Sequence, residues 1–167
     1  MKERMDPLSD LPGAEEFAQL LAREELRRGR TSESLAIAVL DLDGLGSVNK
    51  RHGAAVGTQL LQTCAEVLSQ TVRGVDEIAR TGPDDFSVLL HATDAERAAS
   101  WEERFEDMLD ACGRSMPSAP VTCSIGIADT AEAPTLMEVA VRARRRMEVI
   151  QTVRKLRRAR ESGSSGA

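Results

Sequence analysis

Residues 35–40 read Leu-Ala-Ile-Ala-Val-Leu, and Asp41-Leu42-Asp43 follows. The run is too short for an ordinary helix and does not alternate between apolar and polar positions. It reads as a strand, Leu35–Leu42, buried on both faces. Such a strand needs an apolar layer on each side, which restricts the chain to a sheet sandwiched by helices. The remaining segments supply those layers. Gly13–Arg28 places Phe17, Leu20, Leu21 and Leu26 on one helical face. Ala54–Val72 does the same with Val56, Leu60, Leu61, Cys64, Val67, Leu68 and Val72. Val75–Thr81 and Asp85–His91 form two strands around a Gly82-Pro83-Asp84 turn. Asp94–Cys112 is a helix with Ala98, Trp101, Phe105, Met108 and Leu109 inward. Pro117–Pro120 breaks the chain, Val121–Ala128 is another strand, and Thr135 opens a helix that runs into Arg160. The order α-β-α-β-β-α-β-α predicts an α+β or α/β sandwich with mixed strand directions.

Composition narrows the class further. A chain of 167 residues with 41% hydrophobic residues fits one domain. No apolar run approaches the roughly 18 residues of a membrane helix. Met1–Asp10 mixes charges without an apolar block, so no secretory leader is expected and the cytoplasm is the expected compartment. Cys64, Cys112 and Cys123 are widely spaced and lack a CxxC pair, as expected of reduced core thiols. Residues 1–12 form a lead-in, 13–158 the domain, and 159–167 a tail expected to be disordered.

Acidic pairs carry the first chemical signal. Asp41 and Asp43 end the apolar strand, and Asp84 and Asp85 sit on the hairpin turn. A strand end and a neighbouring hairpin can meet in a mixed sheet, and carboxylates gathered there suit Mg²⁺ together with substrate phosphates. Turn aspartates are also common for conformational reasons alone.

Four segments, in order, resemble one known family. Asp6-Pro7-Leu8-Ser9-Asp10-Leu11 is similar to D-x-L-T-G-L, and Asp41 through Asn49 to D-x-D-x-F-K-x-x-N. Arg80-Thr81-Gly82-Pro83-Asp84-Asp85-Phe86 is similar to R-x-G-G-D-E-F, and Val121–Ala128 to V-T-x-S-I-G-I-A. The chain resembles a GGDEF domain, the diguanylate cyclase family, over residues about 6 to 156. That resemblance implies an α+β fold with a central five-stranded, mostly antiparallel sheet flanked by helices, as in nucleotide cyclases. Active members join two GTP into cyclic di-GMP, one GTP per domain in a facing dimer, with Mg²⁺ on the triphosphate.

Several positions depart from the pattern. Asp41 keeps the first metal carboxylate, with Asp84 as the other vestigial Mg²⁺ ligand, and Asn49 keeps the guanine-facing amide. Gly46 and Gln151 stand where phosphate-binding lysines are expected, in a chain with only three lysines among 22 basic residues. Thr58 replaces a guanine-binding Asp, Pro83 replaces the second signature Gly, and Asp85 replaces Glu. Proline adds a ring and removes an N–H where backbone must approach a nucleotide. The combined losses predict a catalytically degenerate domain, with Asp84 and Asp85 as vestigial catalytic groups. No cofactor is then required, and Mg²⁺ enters only if GTP binds.

One feature of the pattern is kept. Arg73-Gly74-Val75-Asp76 matches the family's inhibitory R-x-x-D, five residues before the signature. An Arg fork can bond guanine O6 and N7, and an Asp can accept from the guanine N–H edge. Arg104 is the expected second arginine from the following helix, and Arg80 a further phosphate neighbour. The same pair also reads as a helix-end charge, Arg73, with Asp76 as its partner. The leading expectation is a cyclic di-GMP receptor. The alternatives are a residual GTP-binding cyclase and a nucleotide-free interaction domain with a protein partner or second copy. Arg142–Arg160 is strongly basic, with Val149, Ile150, Val153 and Leu156 on one side. Without an aromatic stripe, and in a chain of net charge −5, neither nucleic acid nor membrane is expected as a partner.

Overall fold

The computed structural model describes residues 5–31, 33–114 and 122–164. The apolar run forms β1 (Ala36–Leu42), and all seven of its residues are buried. It is a central strand, flanked by β3 (Asp85–Leu90) and β4 (Cys123–Asp129), with β2 (Glu77–Arg80) beyond β3. Every pairing is antiparallel, in the order β2-β3-β1-β4. The described residues thus hold four strands, one fewer than the resemblance implied.

Strand periodicity sorts the side chains of β1. Ala36, Ala38, Leu40 and Leu42 join a core with α3 (Ala54–Thr71) and α4 (Ala95–Arg114), including the stacked Trp101 and Phe105. Ile37 and Val39 join the opposite core with α1 (Ala14–Arg28) and α5 (Leu136–Ser164). Asp41 has the parity of Ile37 and Val39, so the strand delivers it beneath α5. Gly126 of β4 lets α5 lie flush on the sheet, because a Cβ there would collide with the Ala143 carbonyl and the Met147 amide. That contact sets how far side chains of α5 reach toward the strand ends.

Some expectations need correction. A short helix, α2 (Leu45–His52), lies between β1 and α3. It buries only Leu45 and so lacks the apolar periodicity that marks longer helices. Its preceding Gly44 has φ +78°, a left-handed value that glycine adopts without strain. Leu26 is 78% exposed and Met108 36%, because each lies off the buried stripe of its helix. Helix α5 runs on to Ser164, through most of the tail expected to be disordered. The Pro117–Pro120 break and Val121 lie outside the described residues. All three cysteines are free. No helix among the described residues is long and apolar enough to cross a membrane.

Candidate functional site

The end of β1 and the hairpin turn do meet. Asp41 stands opposite Asp85 in the β1–β3 register, and Asp84 precedes β3. One carboxylate oxygen from each of Asp41, Asp84 and Asp85 lies within 4.8 Å of the others. Burial, a hydrogen bond shared with Asp85 and the charges of Asp84 and Asp85 raise the Asp41 pKa to about 7, against the opposing Gln151 contact. Gln151 Nε2 donates to Asp41 Oδ1, and Arg144 Nη1 donates to Asp85 Oδ2 at 2.9 Å. Three clustered oxygen donors fit a hard divalent cation, which Asp41, Asp84 and Asp85 would hold.

The signature turn is tight. A Cβ on Gly82 would come within 2.9 Å of Asp85 Oδ2 and 3.0 Å of its Cβ, so a larger residue here would push the Asp85 side chain aside. The Pro83 carbonyl accepts from Arg80 Nη2. Arg80 also donates to Asp6 Oδ1 at 2.8 Å. It ties the N-terminal turn to the hairpin. Burial works against the ionised Asp6, but Arg80 and Ser9 hold its pKa down at about 2.

Asp43, two residues from Asp41, has a different fate. Its buried carboxylate accepts from Ser124 Oγ at 2.7 Å, Thr122 Oγ1 at 3.1 Å and Arg154 Nη1 at 2.9 Å. It joins β1, β4 and α5 and takes no part in the cluster. Asn49 is exposed on α2, its amide lying over Gly57 where a side chain would collide with it. Thr58 is adjacent to Gly57, and nothing lies within 4 Å of the space a Gly46 side chain would occupy.

The second site lies at the open end of the same hairpin. Arg73, Asp76 and Arg104 line one pocket of about 280 Å³ with Thr71, Thr93 and Arg97. Asp76 is turned inward, its side chain 2% exposed. It accepts from the Arg73 amide at 2.8 Å, the His91 amide at 2.8 Å and the Arg73 guanidinium at 3.3 Å. Its carboxylate therefore closes the β2–β3 entry and aims Arg73. The Arg73 guanidinium also donates to the His91 carbonyl and to Thr93 Oγ1 at 3.0 Å, yet the side chain stays 57% exposed. Arg104 donates to the Ser100 carbonyl of its own helix. Arg97 was not foreseen as a pocket residue. Its spacing from Ser100 and Arg104, i to i+3 and i+7, puts all three on one helical face and is the signal that could have found it.

Comparisons with known proteins place the fold in a family. The chain is 36% identical over 128 residues to diguanylate cyclase DgcP of Pseudomonas aeruginosa, covering 75% of this chain and 19% of that protein. It is 29% identical to the probable diguanylate cyclase DgcT of Escherichia coli, covering 76% and 28%. The chain thus spans less than a third of either relative. Among solved structures, the GGDEF domain of Caulobacter crescentus DgcB in complex with c-di-GMP superimposes with a TM-score of 0.81 at 21% identity, covering 89% of this chain and 90% of that one. Diguanylate cyclase SiaD of Pseudomonas aeruginosa, in complex with its activator SiaC, gives 0.81 at 26% identity, covering 89% and 58%. The profile of the diguanylate cyclase GGDEF domain matches residues 3–155, and the chain belongs to that family.

Proposed function

We propose that this GGDEF domain binds cyclic di-GMP at the Arg73 pocket and does not synthesise it. The carrying observation is the convergence of Arg73, Arg97 and Arg104 on one pocket, with Asp76 bracing Arg73 from behind. Guanidinium forks suit both guanine O6/N7 edges and phosphate oxygens, which a cyclic dinucleotide presents together. The solved DgcB domain holds c-di-GMP, so a domain of this fold can carry that ligand. At the opposite end, Gly46, Thr58 and Pro83 remove a cation, a carboxylate and a backbone N–H from the synthetic site. Each lost charged hydrogen bond is worth about 1.5–3 kcal/mol, so together they lower turnover by several powers of ten.

Isothermal calorimetry with cyclic di-GMP tests the reading. Saturable binding that Arg73→Ala weakens is expected. No heat, or equal affinity in the variant, rejects it. A second reading rests on the carboxylate cluster: residual Mg²⁺-dependent GTP binding through Asp41, Asp84 and Asp85. GTP retention that needs Mg²⁺ and disappears in Asp84→Ala would favour it, and steady production of cyclic di-GMP would overturn the loss of synthesis.

A further inference from the structure

We propose that Arg144 is a tethered counter-cation for the carboxylate cluster, which a divalent ion must displace before it can bind there. The inference rests on the reading that this cluster no longer serves synthesis. Three observations support it. Arg144 Nη1 lies 2.9 Å from Asp85 Oδ2, so the guanidinium occupies an oxygen that a metal would otherwise use. Arg144 follows Ala143, whose carbonyl sits against Gly126, so its backbone is held at the sheet. Arg144 lines a cleft of about 210 Å³ with the apolar Phe17, Leu21, Val39 and Val141. An arginine beside apolar neighbours can lay its methylenes along them and keep its charged head extended toward the carboxylates.

Helix α5 thus reaches the cluster twice. Gln151 supplies a neutral donor to Asp41, and Arg144 supplies a full positive charge to Asp85. Neither residue could be read from the spacing of the acidic pairs. Arg144 is 39% exposed, so the pair is partly screened, and a metal can compete with it. The arrangement sets a threshold for metal entry and does not seal the site.

Mn²⁺ alone, without nucleotide, is the probe, followed by electron paramagnetic resonance of the free ion and by calorimetry. Arg144→Met keeps the stem and removes the charge, and is expected to bind Mn²⁺ about five- to tenfold more tightly than the unaltered chain. Arg144→Lys keeps the charge and should stay within about twofold of it. Asp85→Asn should lose the gain when combined with Arg144→Met. Equal affinity in the unaltered chain and Arg144→Met overturns the proposal, as does Arg144→Lys behaving like Arg144→Met, or no uptake by any variant. Circular dichroism of each variant separates loss of fold from loss of binding. Cyclic di-GMP production from GTP, measured on the same unaltered protein, tests the reading beneath the proposal separately. Turnover there with unchanged Mn²⁺ ranking rejects only that reading.

Discussion

The β2–β3 hairpin carries a different chemistry at each end. Its turn brings Asp84 and Asp85 to Asp41, three carboxylates with one cation, Arg144, on them. Its open end gathers Arg73, Arg97 and Arg104 around one buried carboxylate, Asp76. The length of β3 separates them by about 20 Å. The acidic end is assembled from β1, the turn and α5, so it depends on how α5 sits on the sheet. The arginine end is assembled from the loop before β2, the loop after β3 and α4, and contains no residue of α5. One end can therefore be eroded or disturbed while the other stays whole.

The largest expected effect breaks that independence or establishes it. Gly126→Ala puts a Cβ into the backbone of α5 and should cost about 3 kcal/mol, a fall of about 10 °C in Tm. Mn²⁺ uptake should change with it while cyclic di-GMP affinity holds at temperatures below the transition. Loss of both would show that the two ends are coupled through the sheet. Next, Arg73→Ala should weaken cyclic di-GMP by about 10- to 100-fold, the loss of a charge-assisted contact, and leave Mn²⁺ uptake unchanged in calorimetry.

A smaller effect probes the acidic end through pH. The Asp41 pKa stands near 7 in the folded protein, chiefly through burial and then through its carboxylate neighbours, against an ordinary value of 3.8. The folded chain therefore binds more protons than the unfolded chain between those values, and stability falls as pH rises from about 4 to 7. Asp41→Asn should raise stability by about 1 kcal/mol at pH 8, with the gain shrinking by pH 5 in urea denaturation. The smallest effect concerns Asp6, whose pKa near 2 lies below its ordinary value of 3.8. Its contribution is full above about pH 4 and is lost as pH falls toward 2. Asp6→Asn should cost about 1 kcal/mol at pH 7, after allowance for solvent screening, and less at pH 3.

Much of the fold was legible along the chain. Strand β1 declared itself because a centre buried on both faces must be apolar at every position. Helices α1, α3 and α4 declared themselves through long one-sided periodicity. Helix α2 did not, since eight mostly polar residues carry no apolar stripe. The signature motifs located Asp41, Asp84, Asp85, Arg73 and Asp76, because local turn chemistry keeps each near its neighbours. The ion pair of Arg80 was not legible: its partner, Asp6, lies 74 positions away.

The sequence alone determined the family, the buried strand and the types of group available at each end of the hairpin. Only the tertiary structure decided how those groups are used. Asp41 and Asp43 are two residues apart, one in β1 and one just past its end, yet one joins a carboxylate cluster and the other is enclosed by Ser124, Thr122 and Arg154. Asp76 reads from spacing as a partner of Arg73, and the fold adds the backbone amide of His91, fifteen positions away, to its carboxylate. The physical reason is common to both: a carboxylate takes its role from the donors and charges that surround it. For these residues the decisive partners come from other strands, loops and helices, whose positions are set by packing, not by sequence spacing.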